Sequence, residues 1–192
     1  MKSLRPSLSL LPFVPAALAS ALTACGDPFA LPPATRVNVV DSVTIFALTE
    51  TDVGLPSAYD VVAQSRAFVE LGEPFDFAYD IDGDGGAVIA PTGALGLVRS
   101  PGIQEVDSVS FDGITIAPIG GYNLDSALTV RIGTVFIVRS RASSLACTIG
   151  SVARYGKFRV IDLDPDLRSI RLETLIDTNC GYRGLEPGIP TQ

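Results

Sequence analysis

Histidine is absent from this sequence of 192 residues, and methionine occurs once, at Met1. Without imidazole the chain has no Ser-His-Asp triad, no Cys–His pair and none of the histidine ligands that commonly hold zinc or haem. A phosphate-binding loop is also missing, because five residues rather than four separate Gly150 from the Gly156-Lys157 pair. No Gly-x-Ser-x-Gly elbow occurs. We therefore expect no catalytic residues and no enzymatic activity.

The N-terminal residues have the organisation of a bacterial signal peptide. Lys2 and Arg5 precede an apolar run over residues 8–24, which its prolines make short and irregular for a membrane span. The run ends in Leu-Thr-Ala-Cys-Gly, which resembles the lipobox of bacterial lipoproteins, where cleavage precedes a cysteine whose thiol carries a diacylglycerol. The resemblance implies a signal peptide over residues 1–24 and a lipid on Cys25. The alternative is an ordinary secretory signal beside a chance cysteine.

A lipid on Cys25 would anchor the protein to a membrane of the bacterial cell envelope, facing the periplasm or the cell surface. Each buried methylene of an acyl chain contributes roughly 0.8 kcal/mol, so two or three chains hold firmly. We expect a tether over residues 25–36 and a single β-rich domain over residues 37–192. Loss of Lys2 and Arg5 with the leader changes the net charge from −7 to −9. Such an acidic surface argues against nucleic acid as a partner.

Cysteine is scarce, with three residues in the chain. Once Cys25 is lipidated, Cys147 and Cys180 remain as a pair in an oxidising compartment, where disulfides form and persist. A bridge between them would close a loop of 34 residues. In the chain-entropy model such a bridge stabilises a fold by roughly 3–4 kcal/mol. Two buried free thiols are the alternative.

After residue 24 the sequence shows no sustained helical period. Short alternating runs, rich in Val, Ile, Thr and Phe, recur instead between Gly, Pro and Asp residues. The pattern predicts ten strands, near residues 38–48, 67–71, 75–81, 87–90, 96–99, 105–116, 127–131, 134–139, 156–163 and 169–176. Asp164-Pro165-Asp166-Leu167 has the composition of a type I turn and joins the last two. These features indicate an all-β fold, an antiparallel β-sandwich or barrel-like domain.

One acidic motif suggests a metal. Asp80, Asp82 and Asp84 occupy every second position of a segment that contains Gly83 and Gly85, and oxygen ligands at such spacing converge on calcium in loops that glycine allows to curl. An EF-hand loop also needs a glutamate at its twelfth position, where this chain has Pro91. The alternative is a plain hairpin turn, since Asp-Gly pairs supply the positive φ that tight turns require. We expect no cofactor apart from this calcium hypothesis.

A basic cluster stands out in this acidic chain. It comprises Arg139, Arg141, Arg154, Lys157 and Arg159. Such a cluster can receive an anionic ligand, but alternation along two strands favours solvent-facing side chains without a ligand.

An ordered series of motifs carries a family resemblance. The series is Phe75-Asp76-Phe77-Ala78-Tyr79, Phe111-Asp112, Ala117-Pro118, Gly121-Tyr122 with Asp125, residues 135–139, and Tyr155-Gly156-Lys157-Phe158-Arg159-Val160. Over roughly residues 75–163 it resembles the HmuY family of β-rich, surface-exposed bacterial lipoproteins that bind haem. The resemblance implies the fold, the anchoring and a tetrapyrrole ligand. That family holds haem through His, or Met in some relatives, and neither follows residue 24 here. Tyr155, beside Arg154 and Lys157, is then the best-placed haem ligand.

Taken together, the sequence favours a lipid-anchored, non-enzymatic binding or structural module of the cell envelope. Its partner is an unidentified envelope protein or a small ligand. One alternative is a HmuY-like tetrapyrrole-binding lipoprotein. Another is an envelope hydrolase that uses two carboxylates, for which Asp and Glu are plentiful.

Overall fold

The computed structural model describes residues 31–144, 147 and 149–191. Within these ranges the chain is all-β, which confirms the predicted fold class. The ten strands are β1 (Val40–Phe46), β2 (Ala58–Asp60), β3 (Ser65–Ala67), β4 (Phe77–Ile81), β5 (Ala87–Pro91), β6 (Gly102–Glu105), β7 (Leu128–Thr129), β8 (Val135–Arg139), β9 (Tyr155–Asp164) and β10 (Ser169–Asp177). Three short 3₁₀ turns span Val69–Leu71, Thr92–Leu95 and Phe111–Gly113. None of the helical segments described is long and apolar enough to cross a membrane.

The strands form two five-stranded antiparallel sheets that pack as a sandwich and do not close into a barrel. Sheet I has the order β1-β10-β9-β8-β6, and sheet II has the order β3-β2-β4-β5-β7. The predicted hairpin between β9 and β10 is confirmed. Its turn is held by the Asp164 carboxylate, which accepts hydrogen bonds from the backbone N–H groups of Asp166 and Leu167.

The main core lies between the sheets, because alternate residues of each strand point inward. Phe77 and Tyr79 of β4 face Phe136 of β8 and Phe158 of β9. The rings of Phe136 and Phe158 stack with centroids 5.2 Å apart, and the ring of Phe77 meets that of Phe158 edge-on at 5.1 Å. Burial of each such side chain contributes roughly 1.5–3 kcal/mol. These aromatic contacts fix the two sheets face to face.

The outer face of sheet I is covered as well. Residues 106–122, here called the cover segment, place Phe111, Ile114 and Ala117 against side chains of β8 and β10, together with Leu185. Backbone hydrogen bonds from Ala117 N to Arg183 O and from Leu185 N to Thr115 O tie this segment to the C-terminal residues. A face that strand alternation alone would leave in water is therefore buried.

Three predicted strand segments differ from the observed ones. The run 96–99 is a loop, because Leu97 N donates to Thr92 O and closes a turn instead of joining a ladder. The run 105–116 ends as a strand at Glu105, and Ser110 caps a 3₁₀ turn further on by accepting from Gly113 N. Residues 67–71 contain the end of β3 and a 3₁₀ turn. Strand β2 was not predicted, since all three of its residues are buried and it shows no alternation.

One end of the sandwich, here called the tether end, receives the N-terminal segment. Gly102, Arg139, Tyr155 and Asp177 lie level with one another across sheet I and mark this end. Beyond Asp177, the Asn179 carboxamide accepts hydrogen bonds from the N–H groups of Thr35 and Arg36. The last residues of the predicted tether are therefore fixed to the domain. The β9–β10 turn lies at the opposite end, here called the hairpin end.

Candidate functional site

The described part of the chain contains an apolar cleft of about 860 Å³. Two loops form its walls, residues 69–75 between β3 and β4, and residues 92–101 between β5 and β6. Its lining includes Val69, Phe75, Leu97, Val98 and Pro101. Leu97 and Val98 are 53% and 73% exposed, which is unusual for large apolar side chains. The cleft therefore offers an apolar surface to solvent.

Local hydrogen bonds hold both walls in place. In the second wall, the Thr92 hydroxyl donates to Val98 O, so the loop folds back over its own start. Gly96, with φ of 74°, ends the 3₁₀ turn in the left-handed region that glycine occupies at least cost. In the first wall, Gly72 plays the same part with φ of 72°, and the Glu73 carboxylate accepts from Phe68 N. Both walls are thus held by hydrogen bonds within their own loops.

The floor of the cleft is an ionic cluster that joins the two sheets. Arg141, which follows β8, forms ion pairs with Asp60 at 2.7 Å and with Asp76 at 3.1 Å. The Asp76 carboxylate is fully buried and accepts hydrogen bonds from Arg141 N and Val61 N, both at 2.8 Å. Asp60 also accepts from Ala63 N at 2.9 Å. The cluster fixes the depth of the cleft and the spacing of the sheets.

Burial is the largest influence on the pKa values of Asp76 and Arg141. It raises the pKa of Asp76 above its usual value, while the backbone N–H and guanidinium of Arg141 act in the opposite direction. Burial lowers the pKa of Arg141, but the carboxylates of Asp60 and Asp76 more than compensate and leave that pKa raised. The guanidinium is therefore a permanent cation between two carboxylates. It has no surplus positive charge to offer an anionic ligand.

The chemistry of the cleft follows from this lining. Apolar groups dominate, and among the described residues Glu73 is the only carboxylate that lines it. A glycosidase-type mechanism needs two carboxyl groups on opposite sides of the substrate. Asp60 and Asp76 lie behind Arg141, with their oxygens bonded to the protein. The arrangement is suited to holding an apolar molecule.

The predicted calcium residues lie at the hairpin end, with Asp80 near the end of β4 and Asp82 and Asp84 in the turn between β4 and β5. The Asp82 carboxylate accepts hydrogen bonds from Asp84 N and Gly86 N, and the Asp80 carboxylate accepts from the Thr49 hydroxyl at 2.8 Å. No group of three or more Cys, Asp or Glu side chains that could hold a metal ion occurs in the described ranges. The motif builds a hairpin turn whose carboxylates bind backbone N–H groups, and it does not gather Asp80, Asp82 and Asp84 around one point.

The predicted basic cluster does not form a single solvent-facing surface. Lys157 is 1% exposed, and its ammonium group donates to Phe111 O at 2.8 Å and Ile114 O at 3.0 Å. Arg154 is also buried and donates to Val62 O. Arg141 belongs to the cleft floor, and Arg159 pairs with Glu173. The prediction of solvent-facing side chains was wrong for Lys157 and Arg154, because the cover segment and the loop after β2 lie over them.

Tyr155 is half-buried at the start of β9 and does not line the cleft. Its ring packs against that of Tyr122, with centroids 6.3 Å apart, and the guanidinium of Arg139 lies 5.3 Å from the Tyr122 ring centroid. Arg154 and Lys157, the cations expected beside Tyr155, use their side chains elsewhere. The two cations that the haem hypothesis expects beside Tyr155 are therefore bonded to other residues.

The Cys147–Cys180 disulfide is confirmed, with Cα atoms 5.5 Å apart. It lies at the tether end, because Cys180 directly follows Asn179, which binds Thr35 and Arg36. Cys25, the predicted lipidation site, lies outside the described residues.

Sequence reasoning did not find the cleft. Its walls were assigned in part to strands, over 67–71 and 96–99, because apolar residues in those runs resemble strand segments. One available signal was the density of Gly and Pro around Leu97 and Val98, which makes a long strand there unfavourable.

No protein-family model matches this chain, and comparison with curated proteins and with solved structures gives no significant match.

Proposed function

We propose that this chain is a lipid-anchored protein of the bacterial cell envelope that binds an apolar small ligand in the cleft without transforming it. The observation that carries the binding function is the apolar lining of the cleft between residues 69–75 and 92–101. Pockets of this size with mostly apolar walls and few polar groups are typical ligand sites. The anchoring is supported by the signal-like leader and the Leu-Thr-Ala-Cys segment that ends at Cys25.

Binding can be tested with the uncharged, environment-sensitive dye Nile red. We expect saturable binding at one site, with enhanced fluorescence. The double variant Leu97→Asp/Val98→Asp should weaken binding at least about tenfold, or 1.4 kcal/mol, because two charges would enter the apolar wall. Leu167→Asp is the matched control, since Leu167 is 63% exposed in the turn at the hairpin end. Equal binding by both variants would contradict the assignment of the cleft.

Anchoring is tested separately by intact-mass analysis of the membrane fraction. We expect a polypeptide that begins at Cys25 and carries acyl groups. A Cys25→Ser variant should leave the membrane fraction, because it cannot accept the lipid. A mature form that begins elsewhere, with a free thiol at Cys25, would contradict the anchoring.

A further inference from the structure

We infer that the cleft takes the acyl chain of a lipid from the membrane to which the protein is anchored. This inference rests on the proposed anchoring through Cys25 and names the ligand class of the proposed binding site. It follows from where the cleft lies relative to the N-terminal segment, from the reach of the tether, and from the exposed apolar side chains on the walls of the cleft.

The cleft and the N-terminal segment lie at the same end of the domain. The cleft wall formed by residues 92–101 leads directly into Gly102, which is level with Arg139 and Asp177 at the tether end. Strand β10 ends at Asp177. Two residues later, the side chain of Asn179 accepts hydrogen bonds from the backbone N–H groups of Thr35 and Arg36. The cleft therefore lies at the end of the domain where the described part of the chain begins.

A continuous set of contacts connects the cleft floor to this end. Arg141 of the floor binds Asp60, the last residue of β2. Two residues later, Val62 O accepts a hydrogen bond from Arg154, whose backbone N–H is bound by the Ser140 hydroxyl. The charge of Arg36 is close enough to contribute to the lowered pKa of Arg154, to which burial contributes most. The cleft floor is thus connected through Val62, Arg154 and Ser140 to the tether end of sheet I.

The tether is too short to hold this end far from the bilayer. Leu31 is the first residue that the structure describes, and it lies six positions after Cys25. Fully extended, six residues span at most about 20 Å. A protein anchored at Cys25 therefore keeps Leu31 within about 20 Å of its lipid-modified residue, and the cleft lies at the same end of the domain as Leu31.

Large apolar side chains are exposed on both walls of the cleft. Leu71 of the first wall is 72% exposed, and Leu97 and Val98 of the second wall are 53% and 73% exposed. Apolar side chains enter the headgroup–acyl boundary of a bilayer favourably. Their position on the walls of the cleft favours an acyl chain as its occupant.

Tryptophan fluorescence tests the inference directly, because the chain contains no tryptophan. The lipidated full chain carrying Leu97→Trp would be reconstituted in vesicles whose lipids bear bromine on the acyl chains, which quenches indole on contact. We expect loss of most of its emission relative to vesicles of unbrominated lipid. Leu167→Trp at the hairpin end is the matched control and should keep its emission. Unquenched Leu97→Trp in protein that still floats with the vesicles would overturn the inference and leave the anchoring intact.

A second measurement distinguishes an occupied cleft from mere proximity to lipid. Vesicles would contain a phospholipid with a photoreactive diazirine near the end of its acyl chain. We expect adducts on residues 69–75 and 92–101, the two walls of the cleft. Adducts confined to residues 31–36 would show proximity without occupancy and would overturn the inference. If the protein fails to float with vesicles at all, the anchoring is wrong and the inference fails with it.

Discussion

At the residue scale, Lys157 shows what strand alternation determines and what it does not. Alternation along β9 places Lys157 on the outer face of sheet I, on the same side as Arg159, and this parity is observed. Its burial was not predictable from β9, because it depends on the cover segment that lies over that face. The covering backbone supplies Phe111 O and Ile114 O as acceptors for two of the donors of the buried ammonium group. The side of a strand on which a residue lies can be derived from the neighbouring residues, whereas its burial depends on residues distant in sequence.

Lys157→Met is expected to destabilise the fold by about 1–3 kcal/mol, because it leaves buried carbonyl groups without their donor. Burial lowers the pKa of Lys157 below its usual value. Between that lowered pKa and the unfolded value near 10.4, the unfolded chain binds more protons than the native one, so stability conferred by Lys157 rises with pH.

The free-energy difference between wild type and Lys157→Met should therefore increase from neutral pH toward pH 10, as measured by urea unfolding. Groups that titrate in both proteins contribute equally to the two free energies of unfolding, so their contributions cancel in the difference. The absence of histidine also leaves no imidazole to titrate near neutral pH. A difference that stays constant over this range would contradict the lowered pKa.

At the element scale, the strands of the sandwich were largely predictable and the loops that build the cleft were not. Strands β4, β5, β8, β9 and β10 lie close to their predicted positions because alternating apolar residues and flanking turns specify them locally. The cleft depends on pairs such as Asp76 with Arg141, which lie 65 residues apart in sequence. No local pattern contains such a contact. In the sequence, Asp76 therefore resembled an acidic position within a strand, and Arg141 resembled one member of a basic cluster.

The disulfide is the element-scale contact that cysteine counting did predict. Replacing both residues, in Cys147→Ser/Cys180→Ser, should lower the free energy of unfolding by roughly 3–4 kcal/mol in the chain-entropy model. The local effect should concentrate at the tether end, because Cys180 adjoins Asn179, which binds Thr35 and Arg36. Amide hydrogen exchange should accelerate in residues 34–38 and 178–188, and much less in the β9–β10 hairpin. Uniform acceleration across both regions would contradict this local role.

At the scale of the whole molecule, the fold class could be predicted from the sequence, whereas the function does not follow from the fold class. The all-β sandwich followed from strand patterns spread over the entire chain, and those patterns are redundant enough to survive several wrong boundaries. The HmuY resemblance implies a haem ligand, but a fold-level resemblance does not itself supply a site. A binding site is defined by particular side chains. The apolar cleft and the surroundings of Tyr155 provide two different sets of them.

Titration with haemin distinguishes the apolar cleft from Tyr155 as the binding site. Iron in haem proteins is held by axial His, Met, Cys or Tyr ligands, and Cys147 and Cys180 are bonded to each other. The Tyr155 ring packs on Tyr122 away from the cleft lining, and Lys157 is committed to Phe111 O. We expect no saturable Soret shift when haemin is added at micromolar concentration. Weak binding through the apolar cleft would instead be lost in Leu97→Asp/Val98→Asp and retained in Tyr155→Phe. A sharp one-to-one shift that Tyr155→Phe abolishes would contradict this expectation and assign tetrapyrrole binding to Tyr155.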